Sequence, residues 1–89
     1  MTYEKAIALA EKWAVQNRLK VFNAPHALIY IRNIDLARAE ARGMGLGANE
    51  GEATQLLYVL SNLTYWKGED AKAAKVAIKA RVKELQKRR

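Results

Sequence analysis

The C-terminal half of the chain reads NEGEATQLLYVLSNLTYWKGEDAKAAKVAIKARVKELQ from Asn49 to Gln86. Apolar residues recur in it at three- and four-residue spacing, which predicts amphipathic helices over 50–66 and 70–86. The expected core positions are Ala53, Leu56, Leu57, Leu60, Leu63 and Thr64 in the first helix and Ala71, Ala74, Ile78, Val82 and Leu85 in the second. Only residues 67–70 connect the two helices, with Gly68 suited to a left-handed helix end. The pattern therefore predicts an antiparallel helical hairpin.

Two further helices are predicted in the N-terminal half, over 3–19 and 25–42. Thr2 is a suitable cap for the first helix, and Pro25 suits the first turn of the second. The apolar stripes are Ile7, Ala10, Trp13 and Ala14 in the first helix and Ala27, Ile31, Ile34, Ala37 or Arg38, and Ala41 in the second. Val21 and Phe22, between these helices, favour extended backbone, so we expect a loop or a very short strand there.

A glycine-rich connector at 43–48 separates the two halves of the chain. After it, Asn49 followed by Glu52 resembles a capping box, which would start the third helix. Arg38 and Arg42, four residues apart, are expected on the outer face of the second helix. The predicted fold class is all-α, a small four-helix bundle with a C-terminal antiparallel helical hairpin, and residues 1–89 form one domain.

Positive charge is concentrated at the C-terminal end. The chain has 16 Lys and Arg against 9 Asp and Glu, and the segment 67–89 alone contributes +6 of the net +7. Lysines recur at helical spacing, and we predict that they contact nucleic-acid phosphates without reading bases; the residues are Lys72, Lys75, Lys79, Lys83, Lys87 and Arg88. A solvated outer face, an acidic protein partner and a membrane surface are the alternatives for this ladder.

Sequence-specific DNA recognition by a helix-turn-helix is not expected. The final helix would be the recognition helix, and its start at 70–75 offers lysine and alanine rather than the Arg, Asn, Gln or Ser that contact base edges. Tyr65 and Trp66 adjoin the lysines, where they either stack on unpaired bases or form a packed helix corner.

Apolar residues outside the regular stripes suggest a second class of function. Leu28, Ile29 and Tyr30 make the start of the second helix apolar nearly all round, so this end lies in the core or at a homo-oligomer interface. Met44 and Leu46 occupy the glycine-rich loop, where apolar side chains either tuck inward or meet a partner. The alternative function is thus a protein-interaction module, a small inhibitor or adaptor of the kind mobile elements encode, which binds through Ile29, Tyr30, Met44 and Leu46.

No catalytic constellation is recognisable. His26 is the only histidine, and Ser61, the only serine, is far from it in sequence. Asp35 and Glu40 are five residues apart and do not share a helix face. The glycine loop follows a helix and lacks the Lys-Ser/Thr pair of a nucleotide-binding loop. We therefore expect a protein that is not an enzyme, with no cofactor, metal or small-molecule substrate.

Cysteine is absent, which excludes disulfides and thiolate metal sites. No apolar run approaches the roughly 18 residues that span a bilayer. The start of the chain passes directly into an amphipathic pattern, unlike the order of a signal peptide. These features predict a cytoplasmic protein with no membrane partner.

Overall fold

The computed structural model describes residues 1–87, and the regular secondary structure in that range is entirely helical, without a β-strand. Its helices are α1 (Tyr3–Asn17), α2 (Ala24–Arg32), α3 (Ile34–Gly43), α4 (Ala48–Ser61) and α5 (Glu69–Lys87). They pack into a bundle of 38 × 24 × 17 Å. The all-α fold class is therefore confirmed, with five helices in the described part of the chain where the sequence predicts four.

The additional helix arises because the predicted second helix is interrupted at Asn33. The backbone of Asn33 leaves helical geometry at φ −109° and ψ 18°. Its side-chain Nδ2 and its backbone N–H both donate to the carbonyl oxygen of Ile29, at 2.7 and 3.1 Å. Asparagine competes for backbone groups in this way and so favours helix ends. The break lets α2 pack against both α1 and α4, while α3 packs mainly against α4.

Helix α1 buries alanines rather than large side chains. Ala6, Ala10 and Ala14 have no exposed surface, so α1 approaches its neighbours α2 and α5 closely. Thr2 caps α1 as predicted, since its hydroxyl accepts a hydrogen bond from the backbone N–H of Lys5 at 3.1 Å. The helix ends at Asn17, two residues before the predicted end, which leaves Leu19 in the following turn.

Helices α4 and α5 form the predicted antiparallel hairpin. The buried positions of α5 are those expected from the periodicity, and Ile78 is completely buried together with Leu56 and Leu63. Gly68 has a positive φ of 110°, but α4 already ends at Ser61, so Gly68 does not terminate it. Gly68 instead starts α5, because its carbonyl accepts the N–H of Lys72 at 3.0 Å.

The start of α4 differs from the predicted capping box. Gly47 is the N-cap residue, and no side chain caps the helix. Asn49 lies inside the first turn, and Glu52 is buried. Gly51 lies against α3, where a Cβ would come within 2.5 Å of the carbonyl oxygen of Ala37. The reason for the difference is tertiary: α3 packs closely on this turn, and Glu52 finds its partners outside its own helix.

Candidate nucleic-acid interface

Glu52 of α4 is the centre of a buried ionic network. Its side chain is only 5% exposed and contacts two arginines, Arg38 of α3 and Arg81 of α5. Nε of Arg81 donates to Oε2 at 2.8 Å, and Nη1 of Arg38 donates to Oε1. The prediction that Arg38 points outward with Arg42 is therefore wrong: Arg38 turns toward α4 because a buried carboxylate requires a charged partner.

Tyr3 brings α1 into the same network. The guanidinium of Arg81 lies 5.2 Å from the centre of the Tyr3 ring. Burial, followed by the negative charge and hydrogen bonding of Glu52, raises the pKa of the Tyr3 hydroxyl to about 12. Burial also raises the pKa of Glu52, but hydrogen bonds and charge from Arg81 and Arg38 outweigh it and hold that pKa below its ordinary value. The network thus ties α1, α3, α4 and α5 together as a structural feature.

Helix α5 presents its lysines on one side. Lys72, Lys79 and Lys83 are separated by 7 and 4 residues, close to whole numbers of helical turns, and all three are exposed. Lys87 is also exposed at the end of α5, whereas Arg88 lies outside the described residues. Arg81 points the opposite way, toward Tyr3 of α1, because residues two apart on a helix diverge. The lysine face therefore looks away from α1; we define it as Lys72, Lys79, Lys83 and Lys87.

Lys75 has a different role from the other lysines of α5. Its Nζ donates to the backbone carbonyl of Trp66 at 2.8 Å, which fixes the connection between α4 and α5. Partial burial, followed by repulsion from Lys67 and Lys79, lowers the pKa of Lys75. Lys75 lies on the side of α5 that the sequence predicts, but its ammonium group donates to the protein's own backbone instead of facing solvent.

Lysines and arginines divide the electrostatic roles in the described part of the chain. The ion pairs in residues 1–87 join Arg32 to Glu11 and both Arg38 and Arg81 to Glu52. None of them uses a lysine of α5. Arginine suits such pairs because its planar guanidinium donates two hydrogen bonds to one carboxylate. The lysine face consequently keeps its charge available to solvent and to an anionic partner.

The two aromatic residues beside the lysines occupy different environments. Trp66 is buried and stacks on Trp13 of α1 with ring centres 6.0 Å apart. Tyr65 is exposed. The pair is therefore a packed helix corner, and Trp66 is not accessible for stacking on a base.

The predicted protein-interaction residues separate into two places. Ile29 is more than half exposed, whereas Tyr30 is partly buried and stacks on Tyr58 of α4 with ring centres 5.2 Å apart. Met44 is 75% exposed and Leu46 about half. Ile29 and Tyr30 precede α3 while Met44 and Leu46 follow it, so the two groups are at opposite ends of a helix about 15 Å long. The structure does not bring them into one patch.

A cleft of about 820 Å³ lies beside the glycine-rich loop. It is lined by Arg38, Arg42 and Leu46, together with Asn49 at the start of α4 and Leu85 of α5. Leu46 therefore contributes to a concave surface, while Arg38 is already committed to Glu52. The cleft contains charge and apolar surface but no buried, unpartnered polar side chain among the described residues.

Sequence reasoning missed two features of the surface and core. Glu52 looks like a helix-start charge in the sequence, and its two arginine partners are 14 and 29 residues away. The most exposed large apolar side chains are Leu19 and Phe22 in the α1–α2 turn, at 92% and 82%. A signal for the second feature was present, since the helical spacing of apolar residues breaks at 19–22.

Within residues 1–87, no group of three or more His, Cys, Asp or Glu side chains could hold a metal ion. None of the helices in that range combines the length and the apolar character that crossing a membrane requires. Neither a protein-family model, nor a curated protein, nor a solved structure shows significant similarity to this chain.

Proposed function

We propose that this protein binds nucleic acid through its phosphates, without base specificity, and that the lysine face of α5 makes the contact. The observation that carries the proposal is the availability of Lys72, Lys79, Lys83 and Lys87, which are exposed and take no part in the ion pairs of residues 1–87. The face belongs to the segment that holds +6 of the net charge of +7. Such a surface attracts polyanions and releases their counterions.

The dimensions of the face suit a phosphate backbone. Lys72 and Lys87 are 15 residues apart, which corresponds to about 22 Å along the helix axis. Phosphates on one strand of B-DNA advance by about 3.4 Å each, so the lysines extend over about six phosphates. Flexible ammonium groups reach phosphates at varied positions because lysine acts as a point charge rather than a fixed fork.

The chemistry of the face supports contact without base reading. Bidentate contacts to guanine or adenine need arginine, asparagine or glutamine near the groove. Arg81 is the arginine of α5 within the described residues, and it is directed at Glu52 and Tyr3. The exposed part of the lysine face therefore offers phosphate contacts, which position a protein on nucleic acid but carry no sequence information.

A titration against labelled single- and double-stranded DNA and RNA across salt concentrations tests the proposal. The test variant changes the four lysines of the face to Gln, and Lys75 is left intact so that the α4–α5 connection is preserved. The matched control changes four exposed cations elsewhere to Gln, namely Lys5, Lys12, Lys20 and Arg42. Both variants have the same net charge, so they separate a localised face from overall charge.

Four phosphate contacts predict a log–log salt slope of about −3 to −4. We expect the test variant to lose most of that slope and the control to keep most of it. Equal losses in the two variants would mean that overall charge rather than the lysine face attracts the nucleic acid. Absence of binding at low salt would leave the lysines as a solvated outer face and contradict the proposal.

A protein-interaction module is the second candidate, supported by the exposed apolar residues Ile29 and Met44. Its test without a known partner is self-association, measured by sedimentation equilibrium over a wide concentration range. If Ile29→Ser or Met44→Ser removes a concentration-dependent dimer while helicity is retained, an apolar interface is supported. Tyr30→Ala is a poorer choice, since its loss also removes the stacking on Tyr58.

A further inference from the structure

The turn between α1 and α2 places two large apolar side chains in solvent. Leu19 is 92% exposed and Phe22 is 82% exposed, more than any other large apolar residue in the described chain. We name these two residues the α1–α2 tip. Isolated exposed apolar residues are common on protein surfaces, but two such neighbours on one turn are a different feature, which requires an explanation.

The backbone of the turn holds both side chains outward. The N–H groups of Lys20 and Val21 donate to the carbonyl of Asn17 at 3.0 and 2.9 Å, and the N–H of Ala24 donates to Val21 at 3.1 Å. Val21 is partly buried, so this residue anchors the turn. The Phe22 ring packs beside His26 with centres 5.4 Å apart. The tip is thus an ordered projection, pre-organised for a contact.

Two cationic side chains flank the tip. Arg18 and Lys20 flank Leu19 on the same turn, and both are exposed. They line one shallow depression of about 330 Å³ together with Leu19, Phe22 and His26. The whole segment 12–34 contains no Asp or Glu. The partner of this surface must therefore accept apolar groups and carry negative charge.

We propose that the α1–α2 tip inserts into the surface of a membrane that contains anionic lipids. In such a contact, Leu19 and Phe22 enter the boundary between headgroups and acyl chains while Arg18 and Lys20 stay at the lipid phosphates. Long cationic side chains reach the headgroup level from a shallowly inserted turn. This proposal is independent of nucleic-acid binding, because it uses the α1–α2 turn rather than the lysine face of α5.

Other occupants fit the tip less well. A second copy in a two-fold contact would bring Arg18 and Lys20 of both copies together, with no acidic residue of segment 12–34 to compensate them. A protein partner would need a matching pocket for each protruding side chain, whereas a fluid lipid surface accommodates them without one. The sequence expectation of no membrane partner rested on the lack of a spanning segment, and a peripheral contact requires none.

Co-sedimentation with lipid vesicles measures the interaction. The probes are vesicles of equal parts phosphatidylcholine and phosphatidylglycerol, and vesicles of phosphatidylcholine alone. We expect the full chain to partition to the anionic vesicles in preference to the neutral ones. The double change Leu19→Ser and Phe22→Ser should reduce partition by about tenfold or more. Arg18→Gln and Lys20→Gln should each reduce it by about fivefold.

The depth of insertion distinguishes membrane insertion of the α1–α2 tip from electrostatic adsorption of the lysine face. Phe22→Trp introduces a fluorescent reporter at the tip. Lipids brominated on their acyl chains quench tryptophan fluorescence only if the side chain enters the bilayer. Val76→Trp is the matched control, since Val76 is an exposed apolar residue on α5. We expect quenching at position 22, beyond that of the native tryptophans, and none at position 76.

Three outcomes would overturn the proposal. Quenching at position 76 rather than 22 would assign vesicle binding to α5. Unchanged partition of the Leu19→Ser and Phe22→Ser variant would show that charge alone is responsible. Absence of partition at low salt would reassign the tip to an acidic protein partner. Failure of nucleic-acid binding would affect none of these results.

Discussion

Gly51→Ala should destabilise the protein even though alanine is the better helix former. In the interior of α4, the intrinsic helix propensity favours Ala over Gly by about 1 kcal/mol. The added Cβ, however, would lie 2.5 Å from the carbonyl oxygen of Ala37 and 2.7 Å from the Cβ of Ala41. Non-bonded carbon atoms prefer separations of about 3.5–4.0 Å, so α3 must move away by roughly 1 Å.

The magnitude follows from these two opposing terms. Overpacking in a close interface typically costs about 1–3 kcal/mol, and the upper part applies here because the Ala37 carbonyl belongs to the backbone and cannot rotate aside. After the gain in propensity, Gly51→Ala should lower the free energy of unfolding by about 1–2 kcal/mol. For a chain of this length, that corresponds to a decrease in Tm of roughly 5–15 °C.

Urea and thermal unfolding followed by circular dichroism at 222 nm measure the effect. Gly43→Ala is the matched control, because a Cβ on Gly43 meets no atom within 4 Å. We expect the control to be neutral or slightly stabilised. The additional change Ala41→Gly should rescue Gly51→Ala only in part, since the Ala37 carbonyl remains. A Gly51→Ala variant as stable as the parent would refute the close approach of α3 and α4.

Other consequences of the packing and the buried network can be tested by the same unfolding measurements. Glu52→Gln should lower the free energy of unfolding by about 2–3 kcal/mol, which is less than the full cost of breaking a buried ion pair because both arginines are partly exposed. A decrease of less than about 0.5 kcal/mol would mean that the network contributes little to stability. The pKa of Glu52 is lowered in the folded state, so its contribution to stability is present above its ordinary pKa and is lost as the pH falls. The free energy of unfolding of the parent should therefore decline more steeply than that of Glu52→Gln between about pH 5 and pH 3. The pKa of Tyr3 is raised from 10.0 to about 12, so its contribution to stability is full below pH 10.0 and is lost as the pH rises to about 12. Tyr3→Phe should remove this alkaline loss of stability. In a titration followed by tyrosinate absorbance at 295 nm, the variant should lack the tyrosine that ionises last. Lys75→Met should cost about 1 kcal/mol because it removes the hydrogen bond to Trp66, whereas Lys72→Met should be nearly neutral; equal effects would contradict the distinction between these lysines.

Arginines and lysines have different roles in this protein, and this difference links the fold to the proposed function. Arg38 and Arg81 neutralise the one buried carboxylate in the described chain and join three helices around it. The lysine face of α5 lies on the other side of the same helix. One helix can therefore hold the bundle together on one side and present charge on the other. Neutralising the lysine face should leave stability nearly unchanged, while Arg81 is a poor position for testing binding.

The hydrophobic periodicity of the sequence was sufficient for the main helical segments and for the inward face of α5, but not for every core position: Leu57 and Thr64, which the pattern also places inward, are exposed. The apolar positions of the last helix, from Ala71 to Leu85, are buried as the spacing predicts. A period of 3.6 residues is a local property, and a helix with one apolar side has to bury that side whichever neighbour it meets. The hairpin followed from the short connection between two such helices, and the exposure of the lysine face followed from its position away from the apolar stripe, whereas the partial burial of Lys75 did not.

The tertiary structure decided the features that depend on residues distant in sequence. The break at Asn33 was hidden because the apolar stripe continues through it, and the interruption is favourable because α2 packs against α1 as well as α4, whereas α3 packs mainly against α4. Glu52 became a buried ion-pair centre because Arg38 and Arg81 reach it from other helices. Glycine became the favoured residue at position 51 because α3 leaves no room there for a Cβ. Spacing within one helix reports which side faces inward, but charge pairing and contact distance depend on which helix lies opposite.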